Sequence, residues 1–190
     1  MSGGGASPER RHLWLLRHGK AASDAPWGGG DAERPLAARG RRDATALGTA
    51  LGRREGPFGT EGLRPPVAVL CSTAVRTRQT ADLVIEASGL ELPLEPVRSL
   101  YDADVDTVLD VVREIDGAVT SVLVVGHNPS MYRLAYELLD DGDGGERSRD
   151  ALADHRFPTC ALAALVLPVA DWREVSPGTA ELGGLFTPPY

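Results

Sequence analysis

Three short apolar runs, each ending on chemically versatile residues and each followed by a helix-like segment, constrain this chain more than any other feature. They are "HLWLLR" (12–17), "VAVLC" (67–71) and "TSVLVVG" (120–126). Runs this short, bounded by glycine or turn residues, read as buried strands. After the first comes "LAARGRRDATALGTALGRR" (36–54), with Leu36, Ala44, Leu47 and Leu51 at helical spacing and Gly40 read as a tolerated exception. After the second, Ser72 or Thr73 is the expected N-cap of a helix running to about Ala87. A short strand at 94–97 then precedes Asp104, an expected N-cap for "VDTVLDVVREI", which carries Val105, Val108, Leu109 and Val112 on one face. After the third strand, "HNPSMYRLAYELL" places Pro129 at the first helical position, where its missing N–H costs nothing.

This alternation predicts an α/β fold, a three-layer sandwich around a mostly parallel central sheet. "CALAALVL" (160–167) and "DWREVS" (171–176) are expected as two final strands forming an antiparallel edge, and 140–150 as a surface loop. Residues 1–10, small and polar, are expected to be a disordered tail, and 11–190 a single domain.

A net charge of −7 opposes any extended nucleic-acid or anionic-membrane surface, so a cationic site here must be local. No apolar run approaches the roughly 20 residues of a membrane helix. The first residues, "MSGGGASPERR", contain no apolar signal core, and the two cysteines, Cys71 and Cys160, are far apart. Together these predict a cytoplasmic protein with free thiols.

In open α/β sheets ligands gather beyond the carboxyl ends of the strands. The first strand ends in Arg17 and His18, the second leads to Arg76 about one turn into its helix, and the third ends in His127 and Asn128. Two arginines and two histidines therefore converge on one rim. Guanidinium forks and imidazoles suit a tetrahedral dianion, and helix N-termini after Ser72 and Asn128 would add to the positive field. Each residue also has a plainer reading: His18 as a hydrogen-bonded strand end, His127 as a turn residue, Arg76 as a solvated helix cation. Their conjunction at three strand ends favours the phosphate site.

Spacing disposes of three alternatives. A thiolate phosphatase loop needs five residues between Cys and Arg, whereas Cys71 and Arg76 enclose four, "STAV". "GGGDAERP" has no following Gly-Lys-Ser/Thr, so no nucleotide P-loop is present. Arginines beside His18 and His127 would repel a divalent cation, so no metal and no other cofactor is expected.

With these residues in place, the chain resembles the histidine phosphatase (phosphoglycerate mutase-like) superfamily. "LRHGKA", "CSTAVRTRQTA" and "VVGHNP" are similar to its three signature segments. "ERPLAARG", "LYDAD" and the terminal "FPTCALAALVL" with "DW" resemble its small SixA-type phosphohistidine phosphatase branch, so that the likeness spans roughly residues 12–188.

The resemblance implies that His18 is the nucleophile of a covalent phosphohistidine mechanism, its ring fixed through the Gly19 carbonyl. It further implies that Arg17, Arg76 and His127 bind the equatorial phosphoryl oxygens. Arg34 and Asn128 are additional substrate-binding candidates, and Gly19 is expected to allow close phosphate approach. Larger relatives use an acidic residue to protonate the leaving group, for which Asp102 is the candidate, Asp104 being the helix cap. Because loops 23–34 and 140–150 alone could form a rim, an open pocket is expected. It would admit a phosphohistidine protein, the favoured substrate, or a small phosphorylated metabolite. A phosphomonoesterase and a non-catalytic phosphate-binding module are the competing readings.

Overall fold

The computed structural model describes residues 10–60 and 62–190. Most of the expected tail, residues 1–9, lies outside them. Among the described residues six strands form one sheet: β1 (Arg11–Arg17), β2 (Ala68–Ser72), β3 (Leu94–Val97), β4 (Ser121–Gly126), β5 (Leu162–Leu167) and β6 (Glu181–Phe186). Their order is β3-β2-β4-β1-β5-β6, with β1 to β4 mutually parallel, β5 antiparallel to β1 and β6 antiparallel to β5. Alternation along β1 fills both faces. Leu13 and Leu15 pack against α3 (Val105–Arg113), α4 (Ser130–Leu138) and α5 (Asp143–His155). Trp14 and Leu16 pack against α1 (Ala38–Arg53) and α2 (Val75–Ser88). The expected three-layer α/β sandwich is therefore present.

Helix α1 approaches α2 closely because small residues recur every four positions along it. A Cβ on Gly48 would lie 2.5 Å from the Val84 carbonyl oxygen, and one on Gly52 would collide with Ser88. At the far end of the sheet Arg11, 5% exposed, donates Nε to Ala170 at 3.0 Å and Nη1 to the carbonyls of Gly117 and Val119 at 2.8 and 3.1 Å. A buried guanidinium thus ties the start of β1 to the loops before β4 and after β5.

Four local expectations are corrected. Helix α2 is capped at Ala74, not at Ser72 or Thr73, because Ser72 still belongs to β2 and its hydroxyl is engaged elsewhere. Pro129 is the N-cap of α4 and not its first residue. The expected loop 140–150 contains most of α5, whose inward face holds only Leu152 and Gly145 as buried residues, too few to register as periodicity. Finally, "DWREVS" folds as a 3-10 turn, Trp172–Glu174, whose buried indole donates to Val119 at 2.7 Å. The sixth strand is "ELGGLF", where two glycines erase the usual strand signature and the Leu63 side chain fills the space beside Gly183.

Replacing Arg11 with Met would leave the Ala170 and Gly117 carbonyls without their donor, while Val119 keeps the Trp172 indole. Urea unfolding is expected to register a loss of about 3 kcal/mol, with the rim that carries His18 unaffected at 25 °C because Arg11 lies at the opposite end of β1.

Candidate active site

Beyond the carboxyl ends of β1, β2 and β4 lies a pocket of about 190 Å³ lined by Arg17, His18, Asp31, Arg76, Tyr101, Asp102, Ala103, His127, Asn128 and Pro129. The four residues expected from three separate strand ends do meet. The rings of His18 and His127 lie 5.1 Å apart at 62°.

Each is held from outside its own element. Imidazole Nδ1 of His18 donates to the Gly19 carbonyl at 2.7 Å, which selects the tautomer whose Nε2 carries the lone pair. Main-chain N–H of Cys160 donates to the carbonyls of both Arg17 and His18, and the Arg17 N–H donates to Ala161. The Arg17 guanidinium donates Nη1 to the Phe157 carbonyl at 2.9 Å, and Asn128 Nδ2 reaches the same oxygen at 3.1 Å. Phe157 is fully buried at φ 40°, next to Arg156 at φ 53°. Two successive non-glycine residues in the left-handed region aim that oxygen at the site, a local backbone cost sustained by surrounding packing. His127 Nε2 is bonded to the Ser72 hydroxyl at 2.8 Å, and its Nδ1 faces Arg76 Nη2 at 3.4 Å.

Gly19 differs from expectation. It does not line the pocket, and its N–H is committed to Thr80 Oγ1 at 3.0 Å. A Cβ there would stand 2.8 Å from the Gly40 carbonyl oxygen, and one on Gly40 would strike the Lys20 backbone. The two glycines thus let α1 touch the loop that carries His18 backbone to backbone. Gly40 is a requirement of that contact, not a blemish in a helix.

Arg34 also enters indirectly. It donates Nε to the Ala22 carbonyl at 2.9 Å and Nη1 to Asp31 Oδ1 at 2.7 Å. Asp31, which sequence reasoning missed, also receives Arg76 Nη2 at 2.9 Å and the Tyr101 hydroxyl at 3.3 Å. The one available signal was an Asp three residues before Arg34 in a turn-rich stretch. Tyr101, Ser72 and the Phe157 carbonyl were missed too, because their partners lie 55 to 140 residues away in sequence. Asp102 lines the pocket at φ 56° and is exposed, while Asp104 caps α3 through Thr107 N–H at 2.9 Å.

Both histidines are neutral near pH 7. Burial takes His18 from 6.5 down to about 4; the Gly19 bond opposes this, and the charges of Arg76, Arg17 and Arg34 add to it. Burial, then the charges of His18, Arg76 and Arg17, bring His127 to about 3, against the opposing charge of Asp31. Burial pushes the Asp31 carboxyl upward, but hydrogen bonds from Arg34 and Arg76 outweigh it and leave the group below its ordinary value. Cys71, buried in β2, is pushed up to about 12 by burial, which removes it as a thiolate nucleophile. A neutral imidazole with a fixed Nδ1–H, set among guanidinium groups, is equipped to attack a phosphoryl dianion.

The model of the histidine phosphatase superfamily (branch 1) matches residues 13–108. The chain belongs to the histidine phosphatase superfamily. As a member it is a phosphatase, and its fold agrees with solved relatives. A protein of Nakamurella multipartitia provisionally assigned as phosphohistidine phosphatase SixA superposes with a TM-score of 0.76 at 30% identity, over 95% of this chain and 98% of that one. A protein histidine phosphatase SixA complexed with tungstate gives 0.67 at 26% identity, over 93% and 97%. An uncharacterized protein of Mycobacterium tuberculosis is 35% identical over 173 residues, 91% of this chain and 99% of that protein.

His18 and His127, with His12, which burial brings to about 4, all titrate below the 6.5 of an unfolded histidine. Between those values the unfolded chain binds more protons, so this phosphatase loses stability as pH falls from 6.5 toward 3, and is insensitive to these groups above 6.5. Urea midpoints measured from pH 8 to pH 4 are expected to be level at first and then to decline. A midpoint that rose on acidification would contradict neutral histidines.

Proposed function

We propose that this phosphatase removes phosphoryl groups from phosphohistidine carried by another protein, with His18 as nucleophile. The observation that carries this reading is the His18 ring, tied through Nδ1 to Gly19 and with Nε2 unpartnered among the described residues, beside Arg17, Arg76 and His127. In the first step Nε2 attacks phosphorus in line, forming an N–P bond as the bond to the leaving atom breaks and its electron pair departs with that atom. Water then attacks phosphorus, the Nε2–P pair returns to the imidazole, and the water proton passes to solvent. Arg17, Arg76 and His127 hold the three equatorial oxygens, where charge spreads in the transition state. Asn128 acts indirectly: it shares the Phe157 carbonyl with Arg17 and so positions it. Arg34 acts through Asp31.

Three considerations favour phosphohistidine over an ester. An imidazole leaving group has a conjugate-acid pKa of about 6.5 and needs less protonation than an alkoxide. Asp102, the candidate for that role, lies exposed at the pocket rim with no side-chain hydrogen bond among the described residues. The likeness to proteins described as SixA phosphohistidine phosphatases supports the same substrate class, and the absence of α5 from the pocket lining leaves the mouth open to a macromolecule. A cytoplasmic location accords with such a substrate, and no described helix is long and apolar enough to cross a membrane.

Acid-sensitive label from a phosphodonor is expected on the wild-type chain and absent from His18→Ala, with turnover lost together with it. Arg17→Ala and Arg76→Ala are each expected to cost about 10²–10³ in kcat. Asp102→Asn is expected to slow phosphoserine hydrolysis about 10²-fold and phosphohistidine hydrolysis much less. Equal losses on both substrates would favour the phosphomonoesterase reading, and binding of phosphate with no label and no turnover would favour the non-catalytic one.

A further inference from the structure

Arg76, the arginine assigned to the phosphoryl group, is already occupied. Its Nη1 donates to the Asp31 main-chain carbonyl at 2.7 Å and its Nη2 to the Asp31 carboxylate at 2.9 Å, so both ends of the fork face one residue. The same carboxylate takes Arg34 Nη1 and the Tyr101 hydroxyl. An anion with two guanidinium donors and a hydroxyl donor, lining a pocket with His18 and His127, has the surroundings a phosphoryl dianion would have.

Position separates a competitor from a support. A carboxylate that merely braced an arginine would lie behind it, away from the ligand. Here the Arg76 side chain is 9% exposed and the Asp31 side chain 51%, so Asp31 sits on the solvent side of the arginine it pairs with. The Phe157 carbonyl illustrates the opposite arrangement, because it belongs to a fully buried residue and holds Arg17 from within.

We infer that Asp31 is a specificity-determining residue, an internal anion that every incoming phosphoryl group must displace from Arg76 and Arg34. This rests on the assignment of Arg76 to phosphoryl binding. The penalty is unequal: a ligand that also contacts the loop carrying Asp31 draws that loop and its carboxylate off Arg76, whereas a ligand confined to the pocket must displace Asp31 with its phosphoryl contacts alone. Orthophosphate and small phosphomonoesters have little binding energy besides the phosphoryl contacts, whereas a phosphohistidine protein has contacts to spend outside the pocket. The loop that carries Asp31 offers a place for them. Trp27, four residues upstream, is fully exposed at φ 52° with glycine at the next three positions. A large aromatic ring presented on a glycine-rich loop is suited to anchoring a protein partner.

The test is calorimetric binding of orthophosphate to the full chain, wild type against Asp31→Asn and Asp31→Ala, with melting curves to verify folding. Both variants are expected to bind orthophosphate about tenfold more tightly, as loss of one charge-assisted competitor requires. Weaker binding would instead make Asp31 a positioning residue for Arg76, and unchanged binding would remove it from the ligand path; either result overturns the inference. A second arm compares kcat/KM for a phosphohistidine protein with that for para-nitrophenyl phosphate. The ratio is expected to fall in Asp31→Asn, through faster use of the small ester, and in Trp27→Ala, through slower use of the protein. Ratios equal to wild type would overturn the specificity role. Orthophosphate binding requires no turnover, so a chain that fails to hydrolyse phosphohistidine would refute the proposed substrate while leaving the Asp31 result readable.

Discussion

Three guanidinium groups, those of Arg17, Arg34 and Arg76, are held around two imidazoles, and each is fixed by oxygen atoms from elsewhere in the chain. Phe157 supplies a carbonyl to Arg17, Ala22 one to Arg34, and Asp31 a carbonyl and a carboxylate to Arg76. Without those acceptors the cations would repel one another and turn to solvent, and the histidines between them, kept neutral chiefly by burial, would lose the arginine charges that add to it. Net charge of −7 does not contradict this, because the field that matters acts over a few ångströms and is set by local oxygens.

The sheet supplies the rigidity this arrangement needs. Strands β1 and β4 are parallel neighbours near the centre of the sheet, with Arg17 in register with Gly126, so His18 and His127 emerge side by side. Packing on both faces leaves neither strand room to shift. The antiparallel β5 begins where β1 ends, and its preceding segment, with left-handed residues at 156, 157 and 160, closes over the Arg17–His18 backbone. Strain is thus concentrated in the segment that aims the Phe157 carbonyl and the Cys160 N–H.

Much of this was legible in the residues. Strong apolar runs and helical spacing identified β1, β2, β4 and α1 to α4, and the strand-end positions of Arg17, His18, Arg76 and His127 marked the site. Legibility failed where burial is carried by few or small residues. Helix α5 buries little beyond Leu152, and β6 contains Gly183 and Gly184 where a strand would ordinarily show branched side chains. Gly40 misled for a related reason. In a linear pattern a helical glycine is only a weak point, and its value is visible only beside the Lys20 backbone it lets α1 approach.

The layer architecture, the rim on which the site gathers and the presence there of residue types suited to a phosphoryl group were legible in the sequence alone, since periodicity and strand ends are local properties of the chain. Tertiary structure alone decided how those residues are restrained. The pairing of Asp31 with Arg76 spans 45 residues and depends on the path of a glycine-rich loop. The neutral state of His18 depends on burial and on charges brought in from three different segments. Hydrogen bonds and desolvation act through space, and no spacing along the chain encodes which carboxylate a folded loop will set against which arginine.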